Sequence, residues 1–206
     1  MKTIIHLILA TIFIGFTACT KVMVEEDSVE SPKTISAFQQ YMLEEINFAR
    51  TKPAEYAEMR LLADKENLTD NGSYLFLNNL APLGSVTFNH SLNLSASNYA
   101  LFLSDKNLAE HNADLTPLKR AIRAGFAGSS TGENIAIASE NSFNAMLNPK
   151  SAAIGFVRIL IIDKGVVNLG HRLILLSSKY TTVGIGYQQN SAVPMLNYVV
   201  QDFGNL

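Results

Sequence analysis

The hydrophobic residues near the start of the folded part of the chain recur at the spacing of an amphipathic helix. They fall every three or four positions between residues 35 and 49, which places them on one helix face. The residues on this face are Ile35, Phe38, Met42, Ile46 and Ala49. We therefore expect a helix at 36–50 that buries this face. A second helix is expected to begin at Pro53, because the fixed φ and missing N–H of proline are tolerated in a first turn.

The middle of the chain alternates polar stretches with further helical patterns. Residues 64–73 are mostly polar, so a loop is expected there. Apolar residues between positions 92 and 103 share one helix face, and Ser91 is expected to cap this helix because its hydroxyl can accept a backbone N–H. Pro117 then opens a short helix that we place at 118–124.

The segment 149–163 predicts a helix in the interior of the protein. Its body at 152–162 is apolar nearly all round, with Arg158 as the one charge, which is typical of a central helix. The β-branched residues in this segment leave a strand as an alternative. We favour the helix because of its length and because Asn148 and Pro149 suit a helix start.

The strands are predicted by two-residue alternation and lie mostly late in the chain. Ile135 and Ile137 alternate with alanines, which indicates a short strand. Residues 181–187 and 195–203 are rich in β-forming residues and are separated by a polar loop at 188–194, so we expect them to pair as a hairpin. Helices first and strands late indicate an α+β sandwich and not a doubly wound sheet.

Length and charge limit the classes of protein to which the chain can belong. With 206 residues and 48% hydrophobic content, the chain is long enough for one sizeable core and short for two domains. The 16 basic and 18 acidic residues give a formal net charge of -2. No stripe of Lys and Arg is present in the sequence, so we expect no nucleic-acid partner.

The N-terminal residues have the pattern of a targeting segment. Lys2 supplies a positive end, and residues 4–16 form an apolar run that is shorter than the roughly 20 residues needed to span a bilayer. The run ends just before Cys19, the only cysteine in the chain, and resembles a bacterial lipobox except that Phe16 stands where leucine is usual. A single cysteine also means that no intramolecular disulfide can form.

The resemblance to a lipobox predicts how the chain is divided and where it is located. We expect a lipoprotein signal peptide at 1–18, a lipid on Cys19, a flexible acidic tether at 19–33 and a folded domain at 34–206. The protein would then be extracytoplasmic, in the cell envelope, and anchored to a bacterial membrane by acyl chains. The alternative is a plain secretory peptide with an incidental cysteine.

Two short motifs carry polar side chains that are hard to explain as ordinary scaffold. They are Gly132-Glu133-Asn134-Ile135-Ala136 and Gly170-His171-Arg172. A carboxylate and an imidazole that meet in a cleft can share a proton, hold a divalent metal or bind a polar ligand. The two motifs therefore predict a site if the fold brings them together.

The order of the motifs along the chain resembles the CAP superfamily, which comprises the cysteine-rich secretory proteins, antigen 5 and pathogenesis-related 1 proteins and is also called SCP-like. The resemblance covers roughly residues 36–204. Together with the resemblance to a lipobox, it suggests a bacterial lipoprotein form of the family. The matching segments are Asn47-Phe48-Ala49-Arg50, His111, the two motifs above, residues 180–187 and Gln201-Asp202-Phe203-Gly204. The resemblance implies a three-layer α-β-α sandwich with a central antiparallel sheet, and a shallow cleft lined by two histidines and two acidic residues.

Carried over to this sequence, the resemblance makes His111 and His171 the cleft histidines and Glu133 the first acid. The second acid of the family is a glutamate near the end of the helix before the second histidine, and no glutamate stands there in this chain. Asp163 stands at the equivalent helix end and could take its place with a shorter reach. The disulfides of the eukaryotic members are absent as well. Members of the family are variously implicated in sterol or lipid binding, peptide binding and, in a few cases, proteolysis.

Three functional hypotheses follow from these residues. In the first, the cleft binds a small polar or amphipathic ligand or a peptide; no cofactor is required, but His111 and His171 suit Zn²⁺ or another divalent ion. In the second, such a metal activates a water and Glu133 is the general base of a hydrolase. In the third, the cleft is vestigial, its groups only order loops by hydrogen bonding, and the protein is structural or adhesive.

Overall fold

The computed structural model describes residues 34–190, 192–193 and 196–206. The expected signal peptide, Cys19 and the tether lie outside these ranges. The helices are α1 Ala37–Thr51, α2 Pro53–Tyr56, α3 Leu62–Glu66, α4 Ser73–Asn79, α5 His90–Lys106, α6 Pro117–Arg123, α7 Pro149–Ile162 and α8 Gly170–Leu175. The strands are β1 Thr87–Phe88, β2 Ser130–Ala138, β3 Thr182–Gln189 and β4 Asn197–Asn205. No helix in the described ranges is long and apolar enough to cross a membrane.

The four strands form one sheet in the order β1-β3-β4-β2. The expected hairpin is present, since β3 pairs antiparallel with β4, and β4 in turn pairs antiparallel with β2. The short β1 adds two residues in parallel to β3. The main strands are therefore antiparallel, as expected, and β2 lies at one edge of the sheet.

Helices cover both faces of this sheet. Ile135, Tyr198 and Val200 pack in one cluster with apolar residues of α5. Their neighbours along the strands, Ala136 and Val199, point the other way and belong to a larger cluster with α1 and α7, because successive side chains of a strand alternate between faces. The α+β sandwich predicted from the sequence is confirmed.

Two glycines allow α5 to lie directly on the backbone of β3. A Cβ atom added to Gly184 would lie 2.0 Å from the carbonyl carbon of Leu92, and one added to Gly186 would lie 2.2 Å from the carbonyl oxygen of Ala96. Both contacts are with helix backbone, which cannot turn aside as a side chain can. The close approach fixes the position of α5, and with it the segment that follows α5 and carries His111.

The helix starts agree only in part with the expectations. Ser36 caps α1 in a capping box with Gln39, and α7 is a helix, which excludes the strand alternative. The expected cap of α5 is wrong: the Asn89 side chain accepts the N–H of Leu92 at 3.0 Å and fills this position in place of Ser91. An asparagine can cap a helix as well as a serine can.

The loop expected at 64–73 is shorter than its polar composition suggested. Helix α3 extends to Glu66 and α4 begins at Ser73, so only 67–72 is irregular. Asp64 is buried because its carboxylate accepts hydrogen bonds from Arg158 of α7, at 2.7 Å from Nε to Oδ2. Asp64 thus forms an ion pair with the central helix, while Lys65 and Glu66 of α3 are exposed.

Candidate functional site

The edge strand β2 holds the two layers of the candidate site together. Glu133 and Asn134 are neighbours on β2 and therefore point to opposite faces of the sheet. Glu133 contacts His111 in the segment between α5 and α6, while Asn134 donates from Nδ2 to the backbone oxygen of His171 at 3.2 Å. The two histidines meet beyond this edge, with ring centroids 6.4 Å apart. The structure thus brings together the residues that the sequence motifs predicted.

The first half of the site is a chain of charged contacts behind His111. Nδ1 of His111 lies 2.8 Å from Oε1 of Glu133, and Arg120 donates from Nη2 to the other oxygen, Oε2. Only 1% of the Glu133 side chain is exposed, against 46% for His111. Because an ionised carboxylate can only accept a hydrogen bond, Nδ1 of His111 is the donor in this contact, and in the neutral imidazole the lone pair is then on Nε2.

Arg120 is itself held in place by α5 and by the segment between α5 and α6. Its guanidinium carbon lies 3.3 Å from the ring centroid of Tyr99 in α5. Nη1 donates to the backbone oxygen of His111 at 3.0 Å and to Oδ1 of Asp114 at 3.2 Å. A cation stacked on an aromatic ring and paired with two carboxylates is a rigid support, so Glu133 and His111 are fixed in position before any ligand arrives.

The second half of the site is built at the C-terminus of α7. Asp163 is the C-cap residue and has a left-handed backbone, with φ 55° and ψ 38°, which aspartate tolerates better than most residues. Its Oδ1 lies 2.8 Å from Nδ1 of His171 and its Oδ2 accepts the backbone N–H of His171 at 3.0 Å. The shorter side chain therefore reaches the second histidine, and the Asp163 side chain has no exposed surface whereas 20% of His171 is exposed.

The pair Asp163 and His171 repeats the arrangement of Glu133 and His111. In each pair a buried carboxylate takes Nδ1 of the imidazole and leaves Nε2 without a hydrogen-bond partner among the described residues. Arg172 joins α8 to α7 by donating from Nε to the backbone oxygen of Ile161 at 2.6 Å. Burial lowers the pKa of Arg172.

A fifth polar residue of the site, Asp202, was not assigned a role from the sequence. It lies on β4 directly opposite Glu133 in the strand register, is fully buried, and accepts a hydrogen bond from Ser95 Oγ at 2.6 Å. Burial raises the pKa of Asp202 well above its ordinary value of 3.8, and the negative charge of Glu133 raises it further. The signal in the sequence is an acid in the middle of an otherwise uncharged β-rich run.

The arrangement offers two imidazole nitrogens to a ligand and keeps both carboxylates behind them. In the described ranges, no group of three or more His, Cys, Asp or Glu side chains is arranged to hold a metal ion. The carboxylates occupy the Nδ1 side, which is the usual position of groups that orient a metal-binding histidine. A divalent ion at this place would have His111 and His171 as its protein ligands, with the carboxylates behind them.

Comparison with known proteins identifies the family. The model of the family described as "CAP: Cysteine-rich secretory protein family" matches residues 43–203, which is more than half of the chain and includes both histidines and both carboxylates. The chain belongs to the CAP family. The resemblance seen in the sequence motifs is thereby confirmed.

Three solved structures are similar to this chain. An extracellular protein containing a SCP domain from Bacillus anthracis is 20% identical over 60% of this chain and 35% of its own, with a TM-score of 0.46. An outer surface protein from Borrelia burgdorferi is 18% identical over 70% of this chain and 93% of its own, with a TM-score of 0.47. Venom allergen-like protein 4 from Schistosoma mansoni is 11% identical over 82% and 89%, with a TM-score of 0.47.

The chain thus spans about a third of the length of the Bacillus anthracis protein. No curated protein matches the sequence.

Proposed function

We propose that this CAP protein is a lipid-anchored extracytoplasmic binding protein that takes up a small polar or amphipathic ligand between His111 and His171. The observation that carries the proposal is the paired geometry. Two imidazoles from different layers face each other at 6.4 Å between centroids, and each is oriented by its own buried carboxylate. Preorganised groups of this kind bind without the cost of ordering side chains. The resemblance of the residues before Cys19 to a lipobox supports the location.

The chemistry of the pair favours ligands that bring hydrogen-bond donors or a cation. With Nδ1–H donated to a carboxylate, Nε2 of each neutral imidazole presents a lone pair. A hydroxyl or amine of a ligand can donate to it, and so can water. Imidazole nitrogens suit a divalent ion such as Zn²⁺, which when bound would supply a Lewis-acid centre. His111 and His171 would hold the ion, while Glu133 and Asp163 would orient them.

The hydrolase alternative is weaker because Glu133 lacks a free oxygen. A general base must accept a proton from water within hydrogen-bond reach. Oε1 of Glu133 is taken by His111, Oε2 is taken by Arg120, and the side chain is almost fully buried. These contacts suit a residue that positions His111. Unchanged turnover of any substrate found, after Glu133→Gln, would eliminate Glu133 as a base.

The test of the binding proposal compares two histidine variants. The double variant His111→Ala/His171→Ala should fold, because Glu133 keeps Arg120 and Asp163 keeps two backbone N–H groups. We expect it to lose the small molecules that co-purify with the wild-type protein, measured by mass spectrometry, and to lose any Zn²⁺ uptake in calorimetry.

The matched control is His90→Ala, because His90 is exposed at the start of α5 and contacts Phe88 and neither cleft histidine. This variant should keep both properties. If the double variant retains ligand and metal content at the wild-type level, the cleft has no binding role and the structural or adhesive alternative stands.

A further inference from the structure

A pocket of about 200 Å³ lies between α5 and α6 and is distinct from the histidine cleft. Its walls include Leu94, Tyr99, Phe102, Arg120, Arg123 and Ala124. None of the four cleft residues lines it. The pocket shares Arg120 and Ser95 with the groups behind the cleft, since Arg120 pairs with Glu133 and Ser95 donates to Asp202.

The lining divides into an apolar wall and a polar rim. Tyr99 and Phe102 stack with their ring planes 9° apart and their centroids 5.8 Å apart, and with Leu94 and Ala124 they form the apolar part. Asn98 and Arg123 are exposed at the rim. Mostly apolar walls with a few polar groups are typical of sites for small organic ligands.

The charge at the rim favours an anionic ligand. Asp114 is paired with Arg120, and Arg120 is further neutralised by Glu133. Arg123, by contrast, has no ion pair or side-chain hydrogen bond with any described residue. An unpaired guanidinium beside an apolar wall can take a carboxylate by two parallel hydrogen bonds.

The volume limits the size of the ligand. An apolar cavity of about 150 Å³ holds one benzene molecule, so 200 Å³ accommodates a benzene ring with one small substituent but not a lipid chain. We propose that this pocket binds a small aromatic monocarboxylate, with its ring against Leu94, Phe102 and Ala124 and its carboxylate on Arg123. The proposal does not depend on the function of the cleft, since it uses different residues.

The test uses benzoate, with benzamide as its uncharged analogue, on the full chain in a mild detergent. We expect benzoate to bind with a Kd on the order of 1 mM, as a ligand of this size can, and benzamide to bind at least about fivefold more weakly. Leucine methyl NMR locates the ligand, because Leu94 lines the pocket whereas Leu173 lies near His171 on α8. Benzoate should shift the Leu94 methyl signals and leave those of Leu173 unchanged.

Variants of α6 test the role of the charge. Arg123→Gln should reduce benzoate affinity to that of benzamide, whereas Lys119→Gln removes an exposed positive charge from the same helix outside the pocket and should leave it unchanged. Both positions are exposed, so both variants should fold. Ala124→Phe, which fills the pocket, should abolish binding of both compounds. The proposal would be overturned if Arg123→Gln bound benzoate as tightly as the wild type does, or if the wild type bound benzamide as tightly as benzoate. It would also be overturned if benzoate shifted the methyl signals of Leu173 and not those of Leu94.

Discussion

The buried carboxyl of Asp202 gives the stability of the protein a pH dependence at the scale of a single residue. Burial and then the charge of Glu133 raise its pKa, and these effects outweigh the opposing hydrogen bond from Ser95 and the charge of Arg120. Between its ordinary pKa of 3.8 and the raised native value, the folded protein keeps a proton that the unfolded chain releases. Stability therefore decreases as pH rises through this window.

Replacing Asp202 by asparagine should remove this dependence. The amide mimics the protonated acid and can still accept from Ser95. The free energy of unfolding of Asp202→Asn should therefore rise relative to wild type with increasing pH above about 4, by up to about 1.4 kcal/mol per pH unit within the window, and then level off. Urea unfolding at several pH values measures the difference. Asp114→Asn, at a more exposed carboxylate, is the control, and parallel curves for Asp202→Asn and wild type would contradict the assignment.

The sequence predicted the site residues that sit in motifs and missed those defined by burial. His111, Glu133 and His171 could be recognised from short motifs and their order. Asp163 was placed by its position at a helix end, and its contact with His171 depends on a left-handed backbone that no pattern reveals. Arg120 was given no role from the sequence, because only the packed structure shows that it stacks on Tyr99 and supports the buried Glu133.

At the scale of elements, the contact of α5 with β3 is possible because Gly184 of β3 has no side chain. A Cβ at Gly184 would lie 2.0 Å from the carbonyl carbon of Leu92 and 2.1 Å from the backbone nitrogen of Asn93. Relief would require α5 to move away from the sheet, and α5 carries Tyr99 and Ser95, which support the site. Overpacking that is relieved by shifts of side chains and backbone costs typically about 1–3 kcal/mol and occasionally more, and at Gly184 a whole helix would have to move, so we expect a cost above this range.

Gly184→Ala should therefore lower the free energy of unfolding by more than about 3 kcal/mol. Gly84→Ala is the matched control, because a Cβ there would have no heavy atom within 4 Å, and its effect should stay below about 0.5 kcal/mol. Chemical unfolding followed by circular dichroism measures both. Equal stability of the two variants would mean that α5 does not lie on the β3 backbone as described.

The helices and strands that the sequence predicted best are those with a one-sided hydrophobic pattern. The face of α1 and the alternation of the β3–β4 hairpin were correctly identified for this reason, and α7 by its caps and length. The segment 64–73 was assigned to a loop because it is mostly polar, and the part of α3 within it was missed. Arg158, the partner of the buried Asp64, lies 94 positions away in the chain, and such a pairing cannot be seen in a local window.

At the scale of the whole molecule, hydrogen bonds from Arg50 link parts of the fold that no disulfide joins. This buried guanidinium donates to the backbone oxygen of Gly84 at 3.0 Å, of Leu175 at 2.8 Å and of Ser177 at 2.9 Å. It thereby connects α1 to the segment that follows α8. The motifs and their order were enough to predict the family and its layers. The distance between the His111 and His171 rings could not be predicted, because these residues come from the two layers on either side of β2 and meet only in the assembled fold.

The expected lipid on Cys19 would attach the whole chain to a membrane. If Cys19 is lipidated, its acyl chains contribute about 0.8 kcal/mol of binding free energy for each CH₂ group placed in a bilayer. The helices in the described part of the chain are too short or too polar to span a membrane. The full chain expressed in a bacterium should partition into the detergent phase of Triton X-114, and Cys19→Ser should remain in the aqueous phase.

Both forms should melt at the same temperature, because every residue of the three hydrophobic clusters lies after position 37. Mass spectrometry of the N-terminal peptide should show the added acyl mass on Cys19. A wild-type protein that stays aqueous with an unmodified Cys19 would instead establish a plain secretory peptide, and the cleft would then act on ligands in free solution and not beside a membrane.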